Sequence, residues 1–172
     1  MCDYLQNNSI DDKKYLELMI PHHQAAVDMS KIIYETSNND VISNFARNVI
    51  LNQTSEINRM KALLRDILLS INETNSNRPV INNIKFYYPS IFDNLKCDAS
   101  HFNFNQHIHK MNENEYIKHM LSHHNTALLL SELIIKSTKN SKIFILAQTI
   151  YLDQSREMFL LYFLEKSLKY TS

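Results

Sequence analysis

The stretch Met19–Ala26, MIPHHQAA, returns later in the same 172-residue chain as Met120–Ala127, MLSHHNTA. The two copies are offset by 101 residues, and the same offset pairs Glu56 with Glu157. One constant offset over two separate segments indicates an internal duplication. The unit that is repeated therefore extends well beyond the histidine motif itself.

Apolar residues return at helical spacing in four segments, at about 10–36, 40–71, 114–137 and 141–170. The linkers within each pair are short and polar, which predicts two antiparallel helical hairpins. Two copies of such a hairpin predict an all-α four-helix bundle with a pseudo-two-fold axis. We expect one domain over residues 1–172, made of repeat one at about 10–71, a crossover at about 72–113 and repeat two at about 114–170. Pro21 predicts a kink or a break just before His22.

Composition excludes several other classes of protein. Eighteen Lys and Arg residues balance 18 Asp and Glu residues, so no basic surplus points to nucleic acid or an anionic membrane. The chain has no glycine, which argues against phosphate-binding loops and tight hairpins. No apolar run is as long as a membrane span, and Met1–Ile10 does not resemble a signal peptide.

These features predict an intracellular, cytoplasmic protein without a nucleic-acid or membrane partner. The sequence is rich in Asn, Ile and Lys, which is typical of AT-rich genomes; for a viral source, a virion location stays open. A homo-oligomer or a protein partner is also left open.

Polar residues interrupt the inward apolar stripe at the same place in both halves. They are Gln53 and Glu56 in the second segment and Gln154 and Glu157 in the fourth. A buried carboxylate needs a cation, a hydrogen-bond donor or a raised pKa. The inward stripes of the first and third segments contain His22 and His123, with His23 and His124 at their margins. We expect His22, His123, Glu56 and Glu157 to meet in a polar layer at mid-bundle.

Two interpretations of this layer stay open. Imidazoles and thioethers are ligands that Cu(I) prefers, and Met19, His22 and Met29 share one helix face. Alternatively, the methionines fill the core, and His22 and His123 only donate hydrogen bonds to the carboxylates across the bundle. A zinc ion held by His and Glu is a further alternative. A di-iron oxidase is not expected, because Met19 and Met120 stand where a Glu-x-x-His motif needs glutamate.

The motif from Met19 to Met29, followed by Ala46 and then by Gln53, Glu56 and Met60, resembles the DUF305 family. The second half is similar but has leucine at 129, 130 and 161, where the first has Asp28, Met29 and Met60. The resemblance implies a ferritin-like four-helix bundle, and some members of that family bind copper or silver through Met and His. The implied ligands are Met19, His22, His23, Met29, Met60, Met120, His123 and His124.

Glu56 and Glu157 complete the candidate site on the burial argument. Met158 is added because it adjoins Glu157, although it aligns with Ile57. The expected function is binding of a metal ion, Cu(I) first and Zn or no metal as alternatives, in storage, buffering or tolerance. The competing function is a structural or interaction protein in which the His/Glu layer only fixes helix packing.

The crossover contains a second candidate soft-metal pattern, His107-x-His109-x-Met111, for which a solvated loop is the alternative. It also contains aromatic residues, which we expect to hold the crossover over the bundle or to form a protein-contact patch. They are Phe86, Tyr87, Tyr88, Phe92, Phe102 and Phe104.

Overall fold

The computed structural model describes residues 10–69 and 111–171. These residues form four helices and no strand: α1 Asp12–Thr36, α2 Asp40–Leu69, α3 Glu113–Ser137 and α4 Ser141–Thr171. The predicted all-α four-helix bundle is confirmed, and every helix end lies within two residues of its predicted position. The predicted soft-metal pattern and aromatic residues of the crossover lie outside the described residues, except for Met111, which is described and buried.

The duplication extends to the caps of the helices. Asp11 caps α1 by accepting a 2.7 Å hydrogen bond from the Lys14 amide. Asn112, which is 101 residues further on, caps α3 by accepting a 3.0 Å bond from the Glu115 amide. The Glu115 carboxylate accepts the Asn112 amide in return, which closes a capping box.

Replacing Asn112 by alanine is expected to lower the free energy of unfolding by about 1 kcal/mol, because amides in the first turn of α3 lose their acceptor. Asp11→Ala should have a similar effect at the equivalent position. Asn114→Ala, inside the same helix, serves as the control and should stay within about 0.5 kcal/mol of the parent. Urea unfolding measures all three, and a silent Asn112→Ala would contradict the capping role.

Helices α1 and α3 pack antiparallel to each other. At one end of the bundle, Ser37 donates a 2.5 Å hydrogen bond to Glu113 at the start of α3. At the other end, Ser137 donates to the carbonyl of Ile10 at 3.1 Å. In cross-section the helices follow the order α1, α2, α4, α3 around a square, with the α2–α4 side packed least closely.

One hydrophobic cluster, drawn from all four helices, fills the interior. The face of α2 that contains Gln53 and Glu56 is buried from Ile42 to Met60, whereas Leu63 and Ile67, further along the same face, are only partly buried. None of the helices among residues 10–69 and 111–171 is long and apolar enough to cross a membrane.

The sequence predicted a kink or a break at Pro21, and no break occurs, because α1 runs through this residue from Asp12 to Thr36. Pro21 lacks the amide that would bond to the carbonyl four residues earlier, at Glu17. Both residues lie on the exposed face of α1, where water can satisfy that carbonyl. The helix therefore loses one hydrogen bond without burying an unpaired group.

Candidate metal centre

The duplicated motif brings two imidazoles into contact at the centre of the bundle. His22 and His123 stack with ring centroids 3.5 Å apart and an interplanar angle of 27°. Neither residue is exposed to solvent. His123 Nε2 donates a 2.8 Å hydrogen bond to the His22 carbonyl. Because a carbonyl only accepts, the ring proton of His123 is on Nε2.

Each of the neighbouring histidines pairs with a glutamate of its own hairpin. His23 Nε2 lies 3.0 Å from Glu56 Oε2, and His124 Nε2 lies 2.6 Å from Glu157 Oε2. His23 and His124 are fully buried, while the side chains of Glu56 and Glu157 are 10% and 16% exposed. The two pairs are equivalent under the internal repeat.

The prediction that His22 and His123 are the partners of the glutamates is therefore wrong, although all four residues do lie in one interior layer. Adjacent residues on a helix point about 100° apart, so a small rotation of α1 decides which histidine faces α2. His22 faces α3 instead, and His23, placed by the sequence at the margin, is fully buried. Hydrogen bonds between His and Glu do form, but within each hairpin rather than across the bundle.

The protonation pattern of His23 and His124 suits metal binding. A carboxylate can only accept, so in the neutral imidazole the Nε2 that faces it carries the proton and Nδ1 has the lone pair. Neither Nδ1 has a hydrogen-bond partner among the described residues. An imidazole that ligates a metal commonly donates its other N–H to a carboxylate, which is the arrangement here. The residues present therefore fit a metal ion on this test.

Buried thioethers lie close to these imidazoles in helical register. Met19 precedes His23 by one turn of α1, and Met60 follows Glu56 by one turn of α2. Because α1 and α2 are antiparallel, Met19 and Met60 fall at the same level of the bundle, one turn from the His23–Glu56 pair. Both methionines are fully buried.

The second hairpin repeats only half of this thioether pair. Met120 stands one turn before His124, but leucine occupies position 161, the equivalent of Met60. Met158 is fully buried, yet it directly follows Glu157 and so points about 100° away from it around α4.

Met29 belongs to another level of the bundle. The uninterrupted helix α1 separates Met19 from Met29 by ten residues, or about 15 Å along the axis. Met19, His22 and Met29 were predicted to be ligands of one ion because they share a helix face. The distance of about 15 Å along the axis is too long for one ion to bind both thioethers.

The carboxamides that the sequence placed in the layer are buried there. Gln154 is 2% exposed, and its Nε2 lies 3.4 Å from His23 Nε2, which brings α4 into contact with α1 in the core. Both nitrogens are donors when His23 Nε2–H donates to Glu56, so this contact is not a hydrogen bond. Gln53 is 1% exposed, and its two polar atoms have no hydrogen-bond partner among residues 10–69 and 111–171. The interior thus contains the predicted combination of histidine, carboxylate and carboxamide.

Sequence reasoning missed two buried hydroxyl pairs that join α1 to α3. Tyr15 and Ser131 share a 3.1 Å hydrogen bond, and Ser30 and Tyr116 share one of 2.7 Å. Each pair is the image of the other under the 101-residue offset, so extending the alignment of the halves beyond the histidine motif would have identified them. These two hydrogen bonds join α1 to α3 on either side of the stacked His22 and His123 rings.

Burial sets the ionisation of these tyrosines. Loss of solvent raises the pKa of Tyr15 and of Tyr116 far above the ordinary value of 10. The hydrogen bond from the partner serine opposes this change, and the negative charge of Glu56 or Glu157 adds to it. Both phenols are therefore neutral wherever the bundle is folded at ordinary pH.

Among the described residues, no three His, Cys, Asp or Glu side chains come together as ligands of one metal ion. That set of residue types does not include methionine. A metal ion bound beside His23 would accordingly need thioether donors as well.

The fold and the paired motifs agree with comparisons to known proteins. The profile of the family described as "Domain of unknown function (DUF305)" matches residues 6–84 and 113–168. The chain belongs to the DUF305 family. The first matched segment contains the whole α1–α2 hairpin, and the second covers all but the last three residues of the α3–α4 hairpin.

Individual proteins are similar to this chain in sequence or in fold. The chain is 46% identical over 55 residues to uncharacterized protein L153 of Acanthamoeba polyphaga mimivirus, and this match spans 32% of the chain and 36% of that protein. Solved structures of CopM in a Cu(II)-bound and an apo form are similar in fold, with TM-scores of 0.67 and 0.65 at 23% identity. These alignments cover 94% and 92% of the chain and 99% and 98% of CopM.

A DUF305 fragment from Deinococcus radiodurans also has this fold, with a TM-score of 0.64 at 16% identity. That alignment covers 91% of the chain and 95% of the fragment. At these identities the structural matches establish the bundle alone.

Proposed function

We propose that this protein binds a soft metal ion, Cu(I) in the first place, in the hairpin formed by α1 and α2. The observation that supports the proposal is the buried His23 Nδ1, which has a lone pair and no hydrogen-bond partner among the described residues. Met19 and Met60 are the thioether donors at the neighbouring level. CopM, which shares the fold, has been solved in Cu(I)-bound and Ag-bound forms, and this agrees with a soft ion.

The residues divide into donors and supports. His23, Met19 and Met60 are the proposed donors, and a soft ion would provide Lewis-acid bonding to nitrogen and sulfur there. Glu56 holds the His23 ring in the tautomer that leaves Nδ1 available. In this proposal Glu56 orients a ligand instead of being one, and Glu157 has the same role for His124.

We propose one tight site per chain rather than two. The first hairpin offers an imidazole and two thioethers, whereas the second offers His124 and Met120 with leucine in place of the other thioether. A site with two of the three donors should bind a soft ion more weakly, because the leucine at position 161 has no atom that can replace the thioether.

Silver(I) provides a convenient test because it prefers the same donors as Cu(I). Protein purified without a histidine tag is titrated calorimetrically, and its melting temperature is then measured with free Ag(I) at a hundredfold excess over Kd. Binding at that excess stabilises the fold by about 2.7 kcal/mol. For a chain of this size, the melting temperature should rise by about 5–10 °C.

Methionine-to-leucine variants make the test specific, because they nearly conserve volume and should fold. Met60→Leu and Met19→Leu are expected to remove most of the shift. Met29→Leu is the matched control: it also loses a buried thioether, but at another level of α1, so the shift should remain. Equal effects of Met60→Leu and Met29→Leu would contradict the site.

A metal-free structural role remains the second candidate function. It is supported by the hydrogen bonds that already satisfy His23 Nε2 and His124 Nε2 without any ion. A melting temperature that Cu(I), Ag(I) and Zn(II) all leave unchanged would favour this role over metal binding.

A further inference from the structure

Gln154 brings the second hairpin into contact with the imidazole of the first. Its Nε2 lies 3.4 Å from His23 Nε2, which donates to Glu56 at 3.0 Å. An amide nitrogen only donates, so the contact sets one donor against another in the buried interior. Gln154 Oε1 meanwhile has no hydrogen-bond partner among residues 10–69 and 111–171. The carboxamide therefore faces a donor with its own donor and leaves its acceptor unused.

A half-turn of the Gln154 carboxamide corrects both features. Rotation about the terminal side-chain bond exchanges the oxygen and the nitrogen, which are nearly equal in size, and this torsion has two broad minima. The oxygen then lies about 3.4 Å from His23 Nε2. The N–H of His23 is shared between Glu56 and Gln154 as a three-centre hydrogen bond. Glu157, three residues further along the same face of α4, is a carboxylate acceptor for the turned NH2 group.

The internal repeat provides a comparison for this residue. Gln53 is at the equivalent position of α2 and is buried to the same degree, with 1% of its surface exposed against 2% for Gln154. Within the part of the chain that the structure describes, neither polar atom of Gln53 has a hydrogen-bond partner, His124 included. The two carboxamides thus differ in their contacts. The one that touches a histidine touches the histidine of the hairpin that has two thioethers.

We propose that Gln154 is a positioning residue of the metal site in the first hairpin. With its carboxamide turned, Gln154 Oε1 accepts from His23 Nε2–H beside Glu56. Two acceptors hold the ring more firmly than one in the tautomer and orientation that present Nδ1 to a soft ion. The inference rests on the proposed function for the ion, but not for the hydrogen bond itself. The second hairpin then serves the site of the first through α4.

Urea unfolding of the metal-free full chain tests the hydrogen bond. Gln154→Leu should lower the urea midpoint by about 0.5 M, because His23 loses an acceptor. Gln53→Leu is the matched control. It removes a carboxamide of equal burial whose polar atoms have no partner among the described residues, so its midpoint should rise. If the nitrogen of Gln154 faced His23, both variants would raise the midpoint, and that result would overturn the proposal.

NMR of the metal-free protein reports the orientation of the carboxamide. The Hε2 proton of His23 should exchange with water at least fivefold faster in Gln154→Leu, because one of its two acceptors is gone. Gln53→Leu should leave this rate within twofold of the parent. A strong nuclear Overhauser effect between the amide protons of Gln154 and Hε2 of His23 would show that the nitrogen faces the ring, and the proposal would be wrong.

Silver(I) titration tests the role in metal binding. Partners that orient a ligating histidine typically contribute ten- to a hundredfold to affinity. Because Gln154 shares its bond with Glu56, we expect Gln154→Leu to weaken Ag(I) binding about tenfold, while Gln53→Leu stays within twofold of the parent. An unchanged Kd in Gln154→Leu would exclude the positioning role. A parent protein that binds no Ag(I) would contradict the proposed function and this role together, whereas the urea and NMR results would still decide the hydrogen bond.

Discussion

Glu56→Leu is expected to lower the free energy of unfolding by about 2–3 kcal/mol. The variant leaves the Nε2–H of His23 in a fully buried site without the carboxylate that accepts it. A buried donor that loses a charged acceptor costs about this amount. Glu56→Gln keeps an accepting oxygen at nearly the same place, so its loss should stay near 1 kcal/mol. Urea unfolding of the metal-free protein measures both changes.

A double variant identifies the partner of Glu56. Glu56→Leu with His23→Leu removes both members of the pair and should recover most of the lost stability, because apolar groups of similar size can replace a buried polar pair. Glu56→Leu with His22→Leu should recover nothing, since His22 stacks on His123 instead. Recovery in the His22 variant and not in the His23 variant would show that the observed pairing is wrong.

The same glutamate links stability to the proposed metal site. Loss of the carboxylate behind a ligating imidazole typically weakens metal binding ten- to a hundredfold. Glu56→Leu should therefore weaken Ag(I) binding by that factor, whereas Glu157→Leu should leave the tight site nearly unchanged. Glu157→Leu should destabilise the fold about as much as Glu56→Leu, so it separates the two effects.

Alkaline unfolding is the second large effect that we expect. The pKa values of Tyr15 and Tyr116 are raised in the folded chain, chiefly because both phenols are removed from water. The folded chain then keeps protons that the unfolded chain releases above pH 10. The contribution of these two phenols to the free energy of unfolding is fully present below pH 10 and is lost as the pH rises further. Two such groups lower the free energy of unfolding by about 3 kcal/mol between pH 9 and pH 11.

The combined variant Tyr15→Phe and Tyr116→Phe tests this origin. It should start from a lower stability at pH 9, because Ser30 and Ser131 lose their partners, but it should lack the steep decline above pH 10. Tyr34→Phe, at a position 48% exposed, is the control and should retain the decline of the parent. If the combined variant declines as steeply as the parent, the two buried tyrosines are not responsible.

The internal repeat made the fold predictable. A period of three to four residues sets a buried stripe, and one offset of 101 residues relates two hairpins, so the number, order and ends of the helices follow from the sequence. The repeat also predicted that both histidine motifs would meet in the interior. The two Tyr–Ser hydrogen-bond pairs could also have been predicted from the sequence. Tyr15 and Tyr116 are related by the same offset of 101 residues, as are Ser30 and Ser131.

The sequence by itself determined that imidazoles, carboxylates, carboxamides and thioethers share the inside of one bundle. Only the tertiary structure decided that His23 and His124 contact the glutamates while His22 and His123 stack on each other. The physical reason is geometric. Helical periodicity fixes which residues lie on one side, but the rotation of each helix about its axis is set by packing against the other three. That rotation decides which of two adjacent histidines contacts the glutamate. Met29 lies at a different level of the bundle from Met19 because α1 is one continuous helix.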